Sequence, residues 1–560
     1  MSTVVPTYQK LRGGYYTPEG IAEFLAKWAI DSSTNKVLEP SCGDGSFVEQ
    51  AAKQLLLMGA SKEDIPSLLK GIELDPDEAK KVIERINKLG IDIKPEGIVS
   101  GDFFGYTLEH LFYNQTFDVV LGNPPFIRYQ NFVEEYRTIA FDLMKRTGLN
   151  PNRLTNIWVP FLVLSSLLLN ENGRLGMVIP AELFQVDYAA ETRQFLSEYF
   201  NRLTIITFKE LVFDDAQQEV VLLLAERNVE CNEGIRTVEV ESVKALKDLD
   251  ISSIYNTQIK PLDHTSEKWT KYFLETDEIL LLRKLKAHPL VTMSSDVIDV
   301  DVGVVTGQNK YFVLSKEQIN DTNILSSTER IVGRSNHLEG TIFSKDNWLS
   351  NVEKGHPSYL FYPENVDVEH LPTEVQEYIN YGETMEVNKG YKCSIRKRWY
   401  IVPSVRVPDA FMLRQIHDYP KLILNEAGAT CTDTIHRVRF INGHDPRVVT
   451  AAFLNSLTFA HAEITGRSYG GGVLTFEPSE AERLPIPLVG ADGLDLEYID
   501  KLVREKDIDS ILNITDKVLL IDGLGLSEEE VKKLRSIWTK MKLRRINRKQ
   551  KKKAKRVGKK

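Results

Sequence analysis

Cysteine is scarce. The four residues, Cys42, Cys231, Cys393 and Cys431, are scattered over 560 positions without a C-x-x-C pair, which argues against a disulfide framework and against a zinc site. Reduced thiols and no bound metal are the expectation. Long apolar runs are lacking too. The longest, Ile157 to Leu169, is broken by Pro160, Ser165 and Ser166 and is too short to span a bilayer. Lys10 and Arg12 near the start have no apolar stretch behind them, so no targeting segment is expected, and the chain reads as cytoplasmic with no membrane partner. There is no internal repeat and no G-x-G-x-x-G fingerprint.

What is present is a globular composition, 42% apolar and 27% charged, at a length that suggests two to four domains of about 150 residues each. The net charge is −9, yet residues 541–560 hold twelve Lys/Arg and no acid, so removing their +12 leaves −21 on the rest. Such a run is expected to be a solvated, disordered tail able to meet a polyanion. On so acidic a remainder, any contact with nucleic acid must come from local basic patches.

The first 230 residues alternate strand-like and helix-like segments. Tyr16-Thr17-Pro18-Glu19 opens a helix to about Ile30, with Thr17 expected as N-cap and Pro18 in the first turn. Strands are expected at Lys36–Pro40, Gly71–Leu74, Gly97–Gly101, Phe117–Gly122, Arg174–Ile179, Leu203–Phe208 and Val220–Ala225. Helices are expected from Ser46, over Asp77–Leu89, near Leu154–Asn170 and over Ala181–Tyr199. That rhythm predicts an α/β fold, a doubly wound, mostly parallel sheet covered by helices on both faces. After about residue 260 the rhythm gives way to mixed α+β patterning, and helix returns from about Asp495. The expected division is residues 1–260, 261–490 and 491–560, the last a helical segment with the basic tail.

Chemistry is expected at the strand ends. Asn123-Pro124-Pro125-Phe126 follows the apolar run Phe117–Gly122. Two prolines stiffen the turn and remove two backbone donors, leaving carbonyls to accept. The Asn123 side-chain oxygen and the Pro124 carbonyl could each take one N–H of a planar amino group while Phe126 stacks on its ring. Upstream, Val37 to Phe47 reads as strand, glycine turn and helix start, the place where a nucleotide-like ligand lies in such sheets. Glu73 ends the next strand, where an acid accepts from ribose hydroxyls. Asp102 with Phe103 ends another, offering an acceptor for an adenine amine and a ring to cover the purine. Each acid alone would read as a cap or turn residue. Their succession at strand ends is what points to a site.

Taken in this order, the motifs resemble the gamma-class N6-adenine DNA methyltransferases of bacterial modification systems, closely over residues 14–226 and loosely over 265–490. The later likeness rests on Gly303 to Asn309 and on the stretch from Asn425 to Asn455. The resemblance implies a Rossmann-like methyltransferase sheet (residues 1–260) and a C-terminal target-recognition domain (261–490). It implies S-adenosyl-L-methionine as cofactor, with Thr17 and Pro18 at its methionine moiety. Glu39, Pro40, Cys42 and Gly43 would line its loop, Glu73 would hold its ribose, Asp102 and Phe103 its adenine, and Asn123 would adjoin it. Double-stranded DNA is the implied substrate. Asn123, Pro124, Pro125 and Phe126 would hold an adenine swung out of the duplex, and Phe213, with Phe208 as the alternative, would face it from the other side. Phe126 stands where tyrosine is commoner in the family, which keeps stacking and loses a hydroxyl. A cognate restriction endonuclease is an implied partner in the same system, and a monomer is expected. No convincing Pro-Asp…Glu-x-Lys nuclease core is read in the sequence.

Enzymes that methylate RNA or a protein glutamine amide use the same turn, but generally without the Tyr-Thr-Pro helix and the large C-terminal domain. Cytosine-N4 enzymes usually begin the turn with serine. A DNA-binding module with an inert cofactor fold is the non-enzymatic alternative. In the second domain, Arg396, Lys397 and Arg398 are candidate phosphate holders, and Gly466 to Gly472 is a flexible loop able to follow a DNA backbone.

Overall fold

The computed structural model describes residues 17–110, 116–213, 219–229, 234–262, 267–469 and 472–557. Its chain divides into two units, the first running to Thr276 and the second, in the main, from Asp277 to Ile546. The first unit is built on eight strands: β1 (Val37–Glu39), β2 (Leu69–Glu73), β3 (Ile98–Ser100), β4 (Phe117–Gly122), β5 (Leu169–Pro180), β6 (Arg202–Phe208), β7 (Val220–Glu226) and β8 (Ile235–Val240), ordered β3-β2-β1-β4-β5-β7-β6-β8. The strands from β1 to β5 pair in parallel, and β7 runs antiparallel between β5 and β6. Every residue of β7 is buried, as expected of a strand covered on both faces, and each of its leucines contributes about 2 kcal/mol by leaving water.

Helices α1 (Glu19–Ala29), α2 (Ser46–Leu57), α3 (Pro76–Asn87), α4 (Phe103–His110), α5 (Glu134–Arg146), α6 (Trp158–Leu167) and α7 (Ala190–Tyr199) belong to the same unit. Helix α3 buries one stripe, Ala79, Val82 and Ile86, at the helical spacing. Helix α6 is buried through Ser166 on every side, so its uniformly apolar sequence marks a core helix rather than a membrane span. Among the described residues no helix is long and apolar enough to cross a membrane.

The winding places the site. From β1 the chain moves outward through β2 and β3, then returns to lay β4 on the other flank of β1, with Val37 opposite Val119 and Leu38 opposite Val120. The carboxyl ends of β1 and β4 therefore open side by side at the point where the winding reverses, where ligands bind in sheets of this kind.

Several local expectations need correcting. Pro18, at φ −53° and ψ 132°, is itself the cap of α1, which begins at Glu19; Thr17 makes no cap, because its hydroxyl is engaged by Asn123. Strand β3 stops at Ser100, and Asp102 stands before α4, a helix absent from the expected pattern, whose Gly105 amide it accepts at 2.7 Å. The helix expected over Ala181–Tyr199 breaks at Val186, which is extended at ψ 145°. Strand β8 is a further addition to that pattern. The first unit runs past residue 260, because Lys260 Nζ donates to Thr237 Oγ1 and to the Tyr272 carbonyl, each at 2.8 Å.

The second unit holds a five-stranded sheet ordered Ile298–Val302, Ile435–Phe440, Ala410–Leu413, Leu422–Asn425, Ile342–Phe343 and a separate four-stranded one. Residues 491–546 pack into this unit instead of standing apart. Buried Asp516 accepts from Ser456 N (2.8 Å), Ser456 Oγ (2.6 Å) and Arg535 Nε (2.8 Å). Within the expected glycine loop, Arg467–Tyr469 is a strand, and Val473–Thr475 follows as another; residues 470 and 471 lie outside the described residues. The basic end also differs from a loose tail. Helix Glu528–Val557 continues through it, since lysine and arginine are good helix formers and neither glycine nor proline intervenes until Gly558.

Candidate active site

After β1 the chain turns through Pro40, Ser41, Cys42, Gly43, Asp44 and Gly45 into α2. Gly43 and Gly45 take φ of +54° and +80°, a backbone region that favours glycine. The close approach extends to neighbouring strands: a Cβ on Gly71 would lie 2.5 Å from Cys42 Sγ, and one on Gly122 would lie 3.2 Å from Pro40 Cδ. Glu73, at the end of β2, pins the turn. Its Oε2 accepts from Gly43 N at 2.8 Å and its Oε1 from Asp75 N at 2.9 Å. Each oxygen keeps a further lone pair for an incoming hydroxyl.

Glu39, at the end of β1, is 3% exposed, and its Oε2 is buried with no hydrogen-bond partner. Burial, then the nearby Glu73 and Asp44 carboxylates, push its pKa well above the usual carboxylate range. Burial likewise raises Glu73, against the Asp75 and Gly43 amides that favour its charge. Asp44 is occupied elsewhere: it accepts from Ser46 N and Oγ, and Arg85 NH1 binds it at 3.1 Å. Asp102 is pushed up to about 6 by burial, with the Gly105 and Phe104 amides opposing and Glu135 adding to the rise. Gly101 N donates to the Glu73 carbonyl at 2.9 Å, which ties the Asp102 turn to the end of β2. Phe103 is buried with its ring stacked on Phe161, centroids 5.0 Å apart, so one face of it is already covered.

On the other side of β1, Asn123 follows β4. Its Nδ2 donates to Thr17 Oγ1 at 3.1 Å, which turns Oδ1 away from Thr17, and its carbonyl accepts from Ser41 Oγ at 3.4 Å. Thr17 and Ser41 thus orient the residue, a link across 106 positions that no local motif could announce. Pro124 is buried and Pro125 and Phe126 half-buried. Phe126 packs against the core cluster that contains Phe213, itself 7% exposed, and Phe208, 3% exposed. Asn123, Ser41 and Thr17 are thus joined by hydrogen bonds, as are Glu73 and Gly43, and Phe126 and Phe213 share one cluster. Sequence reasoning missed the contacts of Ser41 and Arg85 and the packing of Gly71 and Gly122. Isolated glycines at strand positions were the available signal for the last two.

A sulfonium-bearing nucleoside cofactor fits this donor set. A buried carboxylate with one oxygen unpartnered, close to two other carboxylates, calls for a cationic or N–H partner. The turn also leaves room beside its backbone, since a Cβ placed on Gly43 would meet no atom within 4 Å. Cys42, Cys393 and Cys431 are buried free thiols, and Cys231 lies outside the described residues.

Comparison with known proteins covers both units. A family model of the Eco57I restriction-modification methylases matches residues 47–213, and a model of the C-terminal domain of the type II methyltransferase M.Eco57I matches residues 266–520. The first spans Glu73, Asp102 and the Asn123 turn and begins after Glu39 and Gly43. The type II methyltransferase M.AccI of Acinetobacter calcoaceticus is 23% identical over 541 residues, 91% of this chain and 94% of that protein. M.HindII of Haemophilus influenzae is 23% identical over 391 residues, covering 66% of this chain and 67% of that one. In fold, the chain is similar to the Type IIL restriction-modification enzyme MmeI, solved in complex with DNA, at a TM-score of 0.56 and 12% identity, over 93% of this chain and 75% of that one.

Proposed function

For a chain that belongs to the bacterial restriction-modification DNA methyltransferases, we propose transfer of a methyl group from S-adenosyl-L-methionine to N6 of an adenine flipped out of double-stranded DNA. The observation that carries this reading is Asn123, held by Thr17 across the winding reversal from the carboxylate-lined glycine turn. When bound, the cofactor supplies an electrophilic methyl group on sulfur. Glu39, Pro40, Cys42, Gly43, Thr17 and Pro18 line its place, Glu73 accepts from its ribose, and Asp102 accepts from its adenine amine beside Phe103.

Asn123 Oδ1 and the Pro124 carbonyl each accept a hydrogen bond from one N–H of the target amine. They draw its nitrogen toward tetrahedral geometry and stabilise the charge that develops there. No side-chain base is needed to begin. Extruding the base costs a few kcal/mol, which stacking on Phe126 and Phe213 offsets. The transferase role falls to the first unit and target recognition to the second, with the basic end of the C-terminal helix adding salt-sensitive affinity for phosphates. A cognate endonuclease in the same system is the corresponding partner.

Labelled cofactor offered with DNA, RNA and a translation factor side by side tests the substrate; label entering DNA at adenine N6 alone is the expected result. Asn123→Ala is expected to lose about 10²- to 10³-fold in methyl transfer, ~3–4 kcal/mol of transition-state stabilisation, while still binding cofactor. Full activity in that variant excludes the mechanism.

A further inference from the structure

Residues 387–408 reverse the charge of the chain around them, with Lys389, Lys392, Arg396, Lys397, Arg398 and Arg406 and no acid in a protein of net −9. The structure separates these cations by role. Arg396, expected to hold phosphate, gives its guanidinium to backbone: NH2 donates to Val305 O (3.0 Å) and Thr306 O (2.8 Å), and NH1 to Trp399 O (3.2 Å). Arg398 is held by Asp367 and Asn365, and Lys389 by Glu386. Lys392, Lys397 and Arg406 are exposed, with no acid partner among the described residues.

The Arg396 bonds hold the 303–309 loop. Gly303 lies so close to the Thr432 and Ile435 carbonyls that no Cβ fits, and Thr306 Oγ1 donates to Asn309 Oδ1 at 2.5 Å. Gly307, at φ +86°, rests on Lys392: a Cβ there would lie 2.8 Å from the Lys392 Cβ. The clamped turn presents Gln308, Asn309 and Lys310 to solvent beside Lys392. Next to them Tyr391 and Ile395 stand 75% and 63% exposed. Apolar side chains left in water on a cationic segment that carries no acid of its own suit a partner offering both negative phosphates and flat base or sugar surfaces.

We propose that the rim of Gln308–Lys310 and Tyr391–Lys397 is a base-reading surface for duplex DNA, a proposal that rests on the DNA reading above. The Gln308 amide, donor and acceptor together, meets a base edge in the groove. Lys392 and Lys397 meet phosphates, Tyr391 and Ile395 lie against sugar and base, and Arg396 is a positioning residue.

The test is sequencing of modified adenines in cells expressing the full chain, together with DNA titration over a range of salt. Gln308→Ala is expected to make one position of the recognition sequence degenerate, with about tenfold or greater loss of discrimination there and unchanged cofactor affinity. The double substitution Lys392→Ala/Lys397→Ala weakens binding to all sequences alike and lowers the salt slope by about 2. Arg396→Ala loosens discrimination without moving that slope, since its donors face carbonyls. An unchanged recognition sequence, affinity and slope in the Gln308 and lysine variants overturns the proposal. A parent protein that methylates RNA or protein and no DNA overturns the DNA reading itself.

Discussion

Acids at the carboxyl rim of the first unit's sheet are held differently from buried acids elsewhere in the described residues, where even Glu226 of the same unit, 2% exposed at the far end of β7, pairs with Arg174 and Arg202. In the second unit each of three has a cation: Arg535 binds Asp516, Arg545 binds Glu463 through Nε at 3.0 Å, and Arg504 Nε binds Asp500 at 2.6 Å. At the sheet rim of the first unit, Glu39, Glu73 and Asp102 make no ion pair among the described residues and lean on backbone amides alone. An unpaired carboxylate held out of water costs folding free energy; the Gly43, Asp75 and Gly105 amides offset part of that for Glu73 and Asp102, while Glu39 Oε2 has no such partner. On the proposed function, the difference separates acids that tie elements together by ion pairs from acids left to accept from a cofactor, and burial by itself does not distinguish them.

The strongest way to break the comparison lies in the second unit. Arg545 spans Glu463, the His417 carbonyl and the Gly472 carbonyl, and both partners of the ion pair are nearly inaccessible. Arg545→Ala leaves Glu463 charged and buried, so a loss of about 3–5 kcal/mol is expected in urea unfolding. The paired replacement Arg545→Met with Glu463→Leu should recover most of it. If the single change costs under about 1 kcal/mol, the pair is no more than a surface contact and the contrast with the rim fails.

The same contrast explains what could be read from the chain alone. The glycine turn after β1, the Asn-Pro-Pro-Phe turn after β4 and most of the strands along the chain were legible because apolar runs ending in glycine, proline or acid are local signals. The partner of each polar group was not. Thr17 reads as a helix cap until its hydroxyl is found on Asn123, and Arg396 reads as a phosphate holder until its donors are found on Val305 and Thr306. Strand β8 was hidden because Ile-Arg-Thr-Val-Glu-Val follows no clear apolar alternation and is made a strand by pairing with β6. Long-range hydrogen bonds decide such cases, and sequence spacing carries no record of them.

A smaller effect sharpens the comparison at the rim. Glu39→Gln keeps the shape and removes the buried charge, so the ligand-free protein should melt higher by about 2–4 °C for each kcal/mol relieved. Cofactor affinity should fall about tenfold, the loss of one charge-assisted contact. Calorimetry and cofactor titration on one sample check both. A variant that melts lower and binds equally well would make Glu39 a structural acid like those of the second unit.

The smallest effect is in acid, where the two regions should move in opposite directions. Burial raises Asp102 to about 6, so between about pH 4 and 6 the folded protein keeps a proton that the unfolded chain, with an ordinary aspartate near pKa 3.9, has released. Lowering the pH through that window therefore removes a cost and stabilises the ligand-free first unit. Asp500 is also pushed up by burial, but the Arg504 guanidinium and the Ile342 and Thr341 amides outweigh it and hold its pKa below the usual value. Its contribution is complete above about pH 4 and is lost only below that. Cofactor affinity follows the Asp102 carboxylate, because a protonated acid accepts poorly, and should fall severalfold from about pH 7 to 5. Glu39 and Glu73 are raised as well, so the Asp102 share is the part of the pH dependence that Asp102→Asn removes; a profile identical in that variant would assign the whole response to the other two carboxylates.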